Sequence, residues 1–213
     1  MRCNVCGMDY GMTHQCSGIA PQLTAEEAAP APTGFSPVYY LDLAFRIVRW
    51  DDVAIRRASR DPNATYYGAV FWFIAATILF TAIIAPPRMR MASYTDVSTL
   101  GTMLAICFAV AYNGVFVFLQ TGLCYVIAKL AFGGTGTYLA VMRPLLLGWF
   151  VNCLVIVPVV GLALAGIGWI AVVMMVFEEV DGIGRLQAFG ISVGINVCFF
   201  VVQFMMTPAT HHL

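Results

Sequence analysis

The chain has 213 residues, of which 61% are hydrophobic and 10% are charged, and its formal net charge is zero. Soluble domains have about 25% charged residues, so this composition argues against an ordinary soluble protein and favours one that folds within a lipid bilayer. Charge neutrality argues against a general nucleic-acid-binding protein, which needs an excess of basic residues.

Residues 1–18 contain three cysteines and one histidine, in the pattern Cys-x-x-Cys followed by His-x-Cys. Three thiolates and one imidazole form a common ligand set for structural zinc. The sequence therefore predicts a small module, like a zinc ribbon or knuckle, that binds one zinc ion through Cys3, Cys6, His14 and Cys16. Because protein side chains fill all four coordination positions, such a zinc ion has no open position for catalysis. The alternative is a tail with reducible thiols.

Two further segments precede the apolar part of the chain. Residues 19–37 are rich in proline and lack periodicity, which predicts a flexible linker. Residues 38–61 predict an amphipathic helix, with arginines on one face and Tyr40, Leu43, Ile47 and Trp50 on the other. Such a helix is typical of the membrane interface, so we expect it to lie flat on the inner leaflet with its apolar face buried in lipid. The alternative is a helix packed on a soluble core, for which the chain offers no obvious partner.

Residues 66–207 contain apolar stretches long enough to cross a bilayer, which needs about 20 residues per helix. The first predicted span is 68–85, ended by two prolines, and the second is a single long helix, Thr99–Phe132. Residues 138–177 hold two spans divided at 158–161, and 186–206 form the last. The predicted fold is therefore an all-α integral membrane protein, a bundle of five transmembrane helices that carries the N-terminal zinc module.

Charge distribution predicts the orientation of this bundle. With the N-terminus inside and five spans, only Arg88 and Arg90 lie outside, so nine of the eleven Lys and Arg residues lie inside. That distribution obeys the positive-inside rule. It predicts a cytoplasmic N-terminus and an external C-terminus. The first span, which comes too late in the chain for a cleavable signal peptide, is expected to act as the targeting signal.

The strongly polar side chains within the spans are amides: Asn113, Gln120, Asn152, Asn196 and Gln203. Amides of this kind hold membrane helices together. Proton pumps and intramembrane enzymes normally place ionisable residues within the spans, and this sequence shows none there. The sequence predicts no catalytic residues.

Two loops complete the pattern. Residues 133–136 read Gly-Gly-Thr-Gly, which predicts a turn because the lysine of a phosphate-binding loop is absent. The acidic residues Glu178, Glu179 and Asp181 precede Arg185. They either form salt bridges with Arg143 or the amphipathic helix, or make a solvated turn.

The chain resembles the bacterial branch of the Yip family (Ypt/Rab-interacting proteins in eukaryotes). The resemblance lies in residues 46–62, in the glycine loop that ends the long second span, in the proline-divided pair of spans, and in FEEVDGIGRLQA at 177–188. It implies five spans and a cytoplasmic N-terminus; eukaryotic members act in vesicle trafficking and membrane shaping. The eukaryotic Asp-Leu-Tyr-Gly-Pro motif is absent, so the resemblance does not extend to a small-GTPase partner. The Cys/His module is foreign to the eukaryotic pattern and indicates a bacterial protein.

These features together predict a non-enzymatic scaffold or adaptor. It would present the zinc module and the arginine-rich helix to a protein partner or to the membrane surface, on the cytoplasmic face. One alternative is a small transporter or channel subunit, built as a homo-oligomer around the amide-bearing faces. Another is a membrane enzyme that acts on lipid.

Overall fold

The computed structural model describes residues 31–32, 34–91, 99–157 and 160–206, and every regular element within them is helical. Seven α-helices and one 3₁₀ segment follow in chain order: α1 Pro37–Val48, α2 Asp52–Arg60, α3 Asn63–Met91, α4 Thr99–Phe132, α5 Tyr138–Gly148, the 3₁₀ segment Trp149–Ile156, α6 Gly161–Asp181 and α7 Arg185–Met206. Helices α1 and α2 pack across one end of the bundle formed by the others. We call α1, α2, the loop 133–137 and the segment 178–185 the platform.

Four helical stretches are long and apolar enough to cross a membrane: Asn63–Ala82, Leu100–Phe132, Tyr138–Ile156 and Gly161–Asp181. This confirms the predicted long second span and the division of the next apolar stretch into two. The apolar part of α7, Arg185–Phe199, is shorter than these four. For the described residues the predicted all-helical fold is thus confirmed, and four of the five predicted spans are long and apolar enough to cross a membrane.

The bounds of the first span differ from the prediction. Helix α3 begins at Asn63 and continues through Pro86 and Pro87 to Met91, so the expected stop at the two prolines is wrong. Proline removes a backbone hydrogen bond, but helices in membranes tolerate it where other groups satisfy the freed carbonyl. The predicted end of the amphipathic segment at Asp61 is confirmed, because α2 ends at Arg60.

The predicted single amphipathic helix is in fact two helices. Helix α1 ends in a Schellman motif: the Asp51 N–H donates to the Arg46 carbonyl and the Trp50 N–H to the Ile47 carbonyl, at 3.1 and 2.9 Å. Trp50 occupies the left-handed position of this motif with φ of 64°, where glycine is usual. The side chain of Asp51 then caps α2 by accepting from the Ala54 N–H. Sequence periodicity continued across the break and therefore did not reveal it.

The apolar face of this segment packs on protein. Tyr40, Leu43 and Ile47 are all buried, and Tyr40 stacks on Tyr67 of α3 with ring centroids 4.0 Å apart. The prediction that these side chains insert into lipid is wrong, because the inner portions of α3, α5 and α6 supply the core that the sequence did not reveal. Trp50, predicted on the same face, is 53% exposed.

Replacing Trp50 with glycine is expected to raise the free energy of unfolding by about 1 kcal/mol. The left-handed conformation costs a side-chain-bearing residue roughly 1–2 kcal/mol, part of which the contacts of the half-exposed indole offset. Equilibrium unfolding in mixed micelles measures the change. Arg49→Gly is the matched control, because Arg49 has an ordinary φ of −86° and glycine gains nothing there. Equal effects of the two substitutions would show that the left-handed backbone at Trp50 costs nothing.

Candidate functional site

Arg56 is the ion-pairing centre of the platform. Its guanidinium donates to Glu179 of α6 through Nη1 and to Asp52, one turn earlier in α2, through Nη2 at 2.8 Å. The Glu179 side chain is 7% exposed and that of Arg56 is 24% exposed. This network joins α2 to the end of a membrane-spanning helix 123 residues later in the chain. It decides the alternatives left open for the acidic residues, since Glu179 pairs with the arginine-rich segment.

A second arginine, Arg143, forms hydrogen bonds at the C-terminal end of α2. Arg143 of α5 donates through Nη1 to the Ser59 carbonyl at 2.8 Å and through Nε to Thr65 Oγ1 at 3.4 Å. Arg143 thus satisfies a carbonyl at the C-terminus of α2, which the helix itself leaves unpaired.

A buried hydrogen bond joins α1 to the turn that follows α2. The Tyr40 hydroxyl donates to Asp61 Oδ2 at 2.6 Å, and the Asn63 N–H donates to Asp61 Oδ1 at 2.9 Å. Burial, together with the hydrogen bond to Asp61, raises the pKa of Tyr40 well above its ordinary value. Asp61 thus orders both the C-terminus of α2 and the start of α3.

The glycine loop closes around Asp181. The Gly136 N–H donates to Asp181 Oδ1 at 2.8 Å, and the Thr135 N–H donates to the Asp181 carbonyl at 2.9 Å. A Cβ atom at Gly134 or Gly136 would lie 2.7 or 2.8 Å from the Asp181 carboxylate, so only glycine fits at either position. This arrangement confirms the turn predicted for residues 133–136. The Gly136 N–H thus binds the carboxylate of the chain's own Asp181.

Basic residues concentrate at the platform end of the bundle. Those among the described residues are Arg46, Arg49, Arg56, Arg57, Arg60, Lys129, Arg143 and Arg185. The two remaining described basic residues, Arg88 and Arg90, lie in the last turn of α3, at its opposite end. Helices α1 and α2 and their junction carry five arginines and three aspartates, of which Arg49, Arg60 and Asp42 are exposed and the Asp52 side chain is half exposed. The accessible surface of these two helices is therefore weakly cationic.

A cleft of about 390 Å³ lies among α4, the 3₁₀ segment, α6 and α7. Its polar lining consists of four amides and two indoles: Asn113, Gln120, Asn152, Asn196, Trp149 and Trp169. Gln120 of α4 donates to Asn196 of α7 at 2.8 Å, which confirms that amides join helices here. None of the described lining residues is ionisable.

The predicted zinc ligands Cys3, Cys6, His14 and Cys16 lie outside the described residues. Within the part of the chain that the structure describes, no group of three or more His, Cys, Asp or Glu side chains is arranged to hold a metal ion. Four further cysteines, Cys107, Cys124, Cys153 and Cys198, lie within the described helical part of the chain as free thiols.

The sequence identified part of this arrangement and missed part. It identified the amides, because polar residues are conspicuous in apolar helices. It did not identify Trp149 and Trp169, because tryptophan in a membrane span is usually a packing residue or an interfacial anchor.

Comparisons of the chain with models of known protein families, with curated proteins and with solved structures found no match.

Proposed function

We propose that the chain is a non-enzymatic scaffold of a bacterial inner membrane, with a Yip-like five-span bundle whose platform faces the cytoplasm and binds a protein partner. The observation that carries the proposal is the attachment of α2 at both ends, by Arg56 to Glu179 and by Arg143 to Ser59. A surface that is already ordered loses little conformational entropy when a partner binds. The weakly cationic exposed charges favour a partner with an acidic surface.

The orientation in this proposal rests on the positive-inside rule. Eight described basic residues gather at the platform end, against Arg88 and Arg90 at the far end of α3. Helix α7 serves as the fifth span, since its full length, Arg185–Met206, is 22 residues and a crossing helix needs about 20. An odd number of spans places the C-terminus outside.

Within this proposal the N-terminal residues bind one structural zinc ion through Cys3, Cys6, His14 and Cys16. Purified protein is expected to contain about one zinc per chain by elemental analysis, because thiolate and imidazole ligands in this number saturate a tetrahedral ion. The double substitution Cys3→Ser with Cys6→Ser should remove the metal and leave membrane insertion intact. The matched control, Cys107→Ser with Cys198→Ser, should keep it. Zinc retained after the N-terminal double substitution would refute this ligand set.

A photoreactive amino acid incorporated at Arg60 tests the proposed partner binding in living cells. Position 60 is exposed at the end of α2 and should cross-link a protein of defined mass, whereas position 119, exposed on the span α4, should cross-link lipid. The product at position 60 should disappear when Arg56→Ala detaches α2 from Glu179. Identical protein cross-links from both positions, or none from position 60, would contradict a scaffold that works through its platform.

The amide-lined cleft favours a second candidate, a small transporter or channel subunit. Polar groups within a bundle mark the routes by which many membrane proteins pass polar solutes. Solute flux in proteoliposomes that is lost after Gln120→Leu would support this candidate, and a tight bilayer would favour the scaffold.

A further inference from the structure

With the platform at the membrane surface, as proposed above, the cleft lies near the middle of the membrane. Gln120 is about 12 residues from the platform end of α4, Trp169 about 12 from that end of α6, and Asn196 about 11 from that end of α7. At 1.5 Å per residue all three lie about 16–18 Å along their helices, and the hydrocarbon core is about 30 Å thick. Gly166 and Val197 line the cleft and are also exposed, so the cleft opens at the surface of the bundle.

Three of the four amides of the cleft, Gln120, Asn152 and Asn196, form hydrogen bonds to other groups of the protein. Besides the bond between Gln120 and Asn196, the Asn196 amide donates to the Ser192 carbonyl at 2.7 Å. The Asn152 amide donates to the Trp149 carbonyl at 3.0 Å. These contacts fix the amides as part of the wall.

Three polar atoms in the wall have no hydrogen-bond partner among the described residues: Trp149 Nε1, Trp169 Nε1 and Asn113 Oδ1. Trp149 and Trp169 are 6% and 5% exposed, and their rings meet edge-to-face with centroids 4.6 Å apart. The unpaired groups are therefore the N–H donors of two indoles in contact and one carbonyl acceptor. Buried polar groups in proteins are nearly always paired, and hydrocarbon offers no water to pair them.

We propose that the cleft binds an uncharged acylglycerol lipid, with its ester carbonyls toward Trp149 and Trp169 and its hydroxyl toward Asn113. Two ester carbonyls and one hydroxyl match two unpaired donors and one unpaired acceptor. The absence of ionisable groups among the described lining residues disfavours a phosphate-bearing head group, whose charge would be buried without a partner. The volume is within the range of small-molecule sites, and the opening admits a lipid from the bilayer. The three unpaired atoms are buried in the wall and do not contact the open cleft. The side chains of Trp149, Trp169 and Asn113 therefore rotate toward the lipid as it enters.

A photoreactive diacylglycerol in nanodiscs of phosphatidylcholine tests this proposal on the full chain. Cross-links mapped by mass spectrometry should fall on residues that line the cleft, and unlabelled diacylglycerol should compete for them. Phosphatidic acid, which carries the same two acyl chains and a charged head group, should not compete. Cross-links distributed over the lipid-facing surface, equal competition by phosphatidic acid, or the absence of cross-links in the cleft would each overturn the proposal.

Matched tryptophan substitutions test the assigned donors. Trp149→Phe with Trp169→Phe removes both N–H groups and keeps the aromatic packing, and binding should weaken at least about tenfold because each lost hydrogen bond reduces affinity severalfold. Trp72→Phe is the control, since the Trp72 N–H is also buried and unpartnered among the described residues but does not line the cleft. Equal affinities of the double and control variants would refute the assignment. If the double variant fails to insert, Asn113→Leu, which should weaken binding severalfold, replaces it in the same comparison.

Discussion

Replacing Arg56 with alanine is expected to lower the free energy of unfolding by about 2–3 kcal/mol. The substitution removes a cation from a nearly buried carboxylate, Glu179, and detaches α2 from the end of α6. Breaking a fully buried ion pair costs about 3–5 kcal/mol and an exposed pair contributes about 0–1 kcal/mol, so this partly buried pair is expected between those limits. Equilibrium unfolding in mixed micelles measures the loss.

The neighbouring ion pair provides a matched control. Arg185 donates to Glu178 at 2.8 Å, but the Arg185 side chain is 68% exposed. Arg185→Ala is therefore expected to change the free energy of unfolding by less than about 1 kcal/mol. A double-mutant cycle of Arg56→Ala with Glu179→Gln should show coupling between the two sites, and additive effects would mean that their pairing does not hold α2 in place.

Replacing Gly136 with alanine is expected to lower the free energy of unfolding by about 2–3 kcal/mol. The added Cβ would lie 2.8 Å from Asp181 Oδ1 and 2.9 Å from the Val180 carbonyl oxygen. The carbonyl belongs to the backbone and cannot rotate away, so the loop must shift and lose the bond from the Gly136 N–H. Overpacking costs about 1–3 kcal/mol, and the lost hydrogen bond adds to it.

The same substitution at Gly122 separates this effect from the general effect of replacing glycine. No heavy atom lies within 4 Å of a Cβ built on Gly122, which is in the middle of α4. Alanine there is expected to stabilise the helix by about 0.5–1 kcal/mol. A loss of stability at Gly122 as large as at Gly136 would contradict the role assigned to the loop around Asp181.

The helices could be predicted from sequence because the bilayer imposes their length. Thr99–Phe132 was predicted to the residue, since an unbroken apolar stretch between glycine and polar segments leaves few alternatives. The break between α1 and α2 was not predictable from the usual signal, because tryptophan instead of glycine holds the left-handed position. The prediction that the apolar face of α1 is buried in lipid was wrong. Periodicity shows that a face is buried, but it cannot show whether lipid or protein covers it.

Most contacts within the platform and the cleft could not be predicted from the sequence. Glu179 and Arg56 are 123 residues apart, and the sequence offered several partners for the acidic residues. The amides stood out as polar residues in spans, and one pair does join two helices. The unpaired indole nitrogens could not be predicted, because whether an N–H group is paired depends on the packing around it.

The orientation of the platform is the central claim, and reporter fusions at the two termini test it most directly. Alkaline phosphatase, which is active only outside the cytoplasm, should be active when fused after Leu213, and green fluorescent protein should fluoresce when fused before Met1. This pair of results requires an odd number of spans with the platform in the cytoplasm. A fluorescent C-terminal fusion with inactive phosphatase at the same position would mean that α7 does not cross the membrane or that the bundle has the opposite orientation, and would contradict the account.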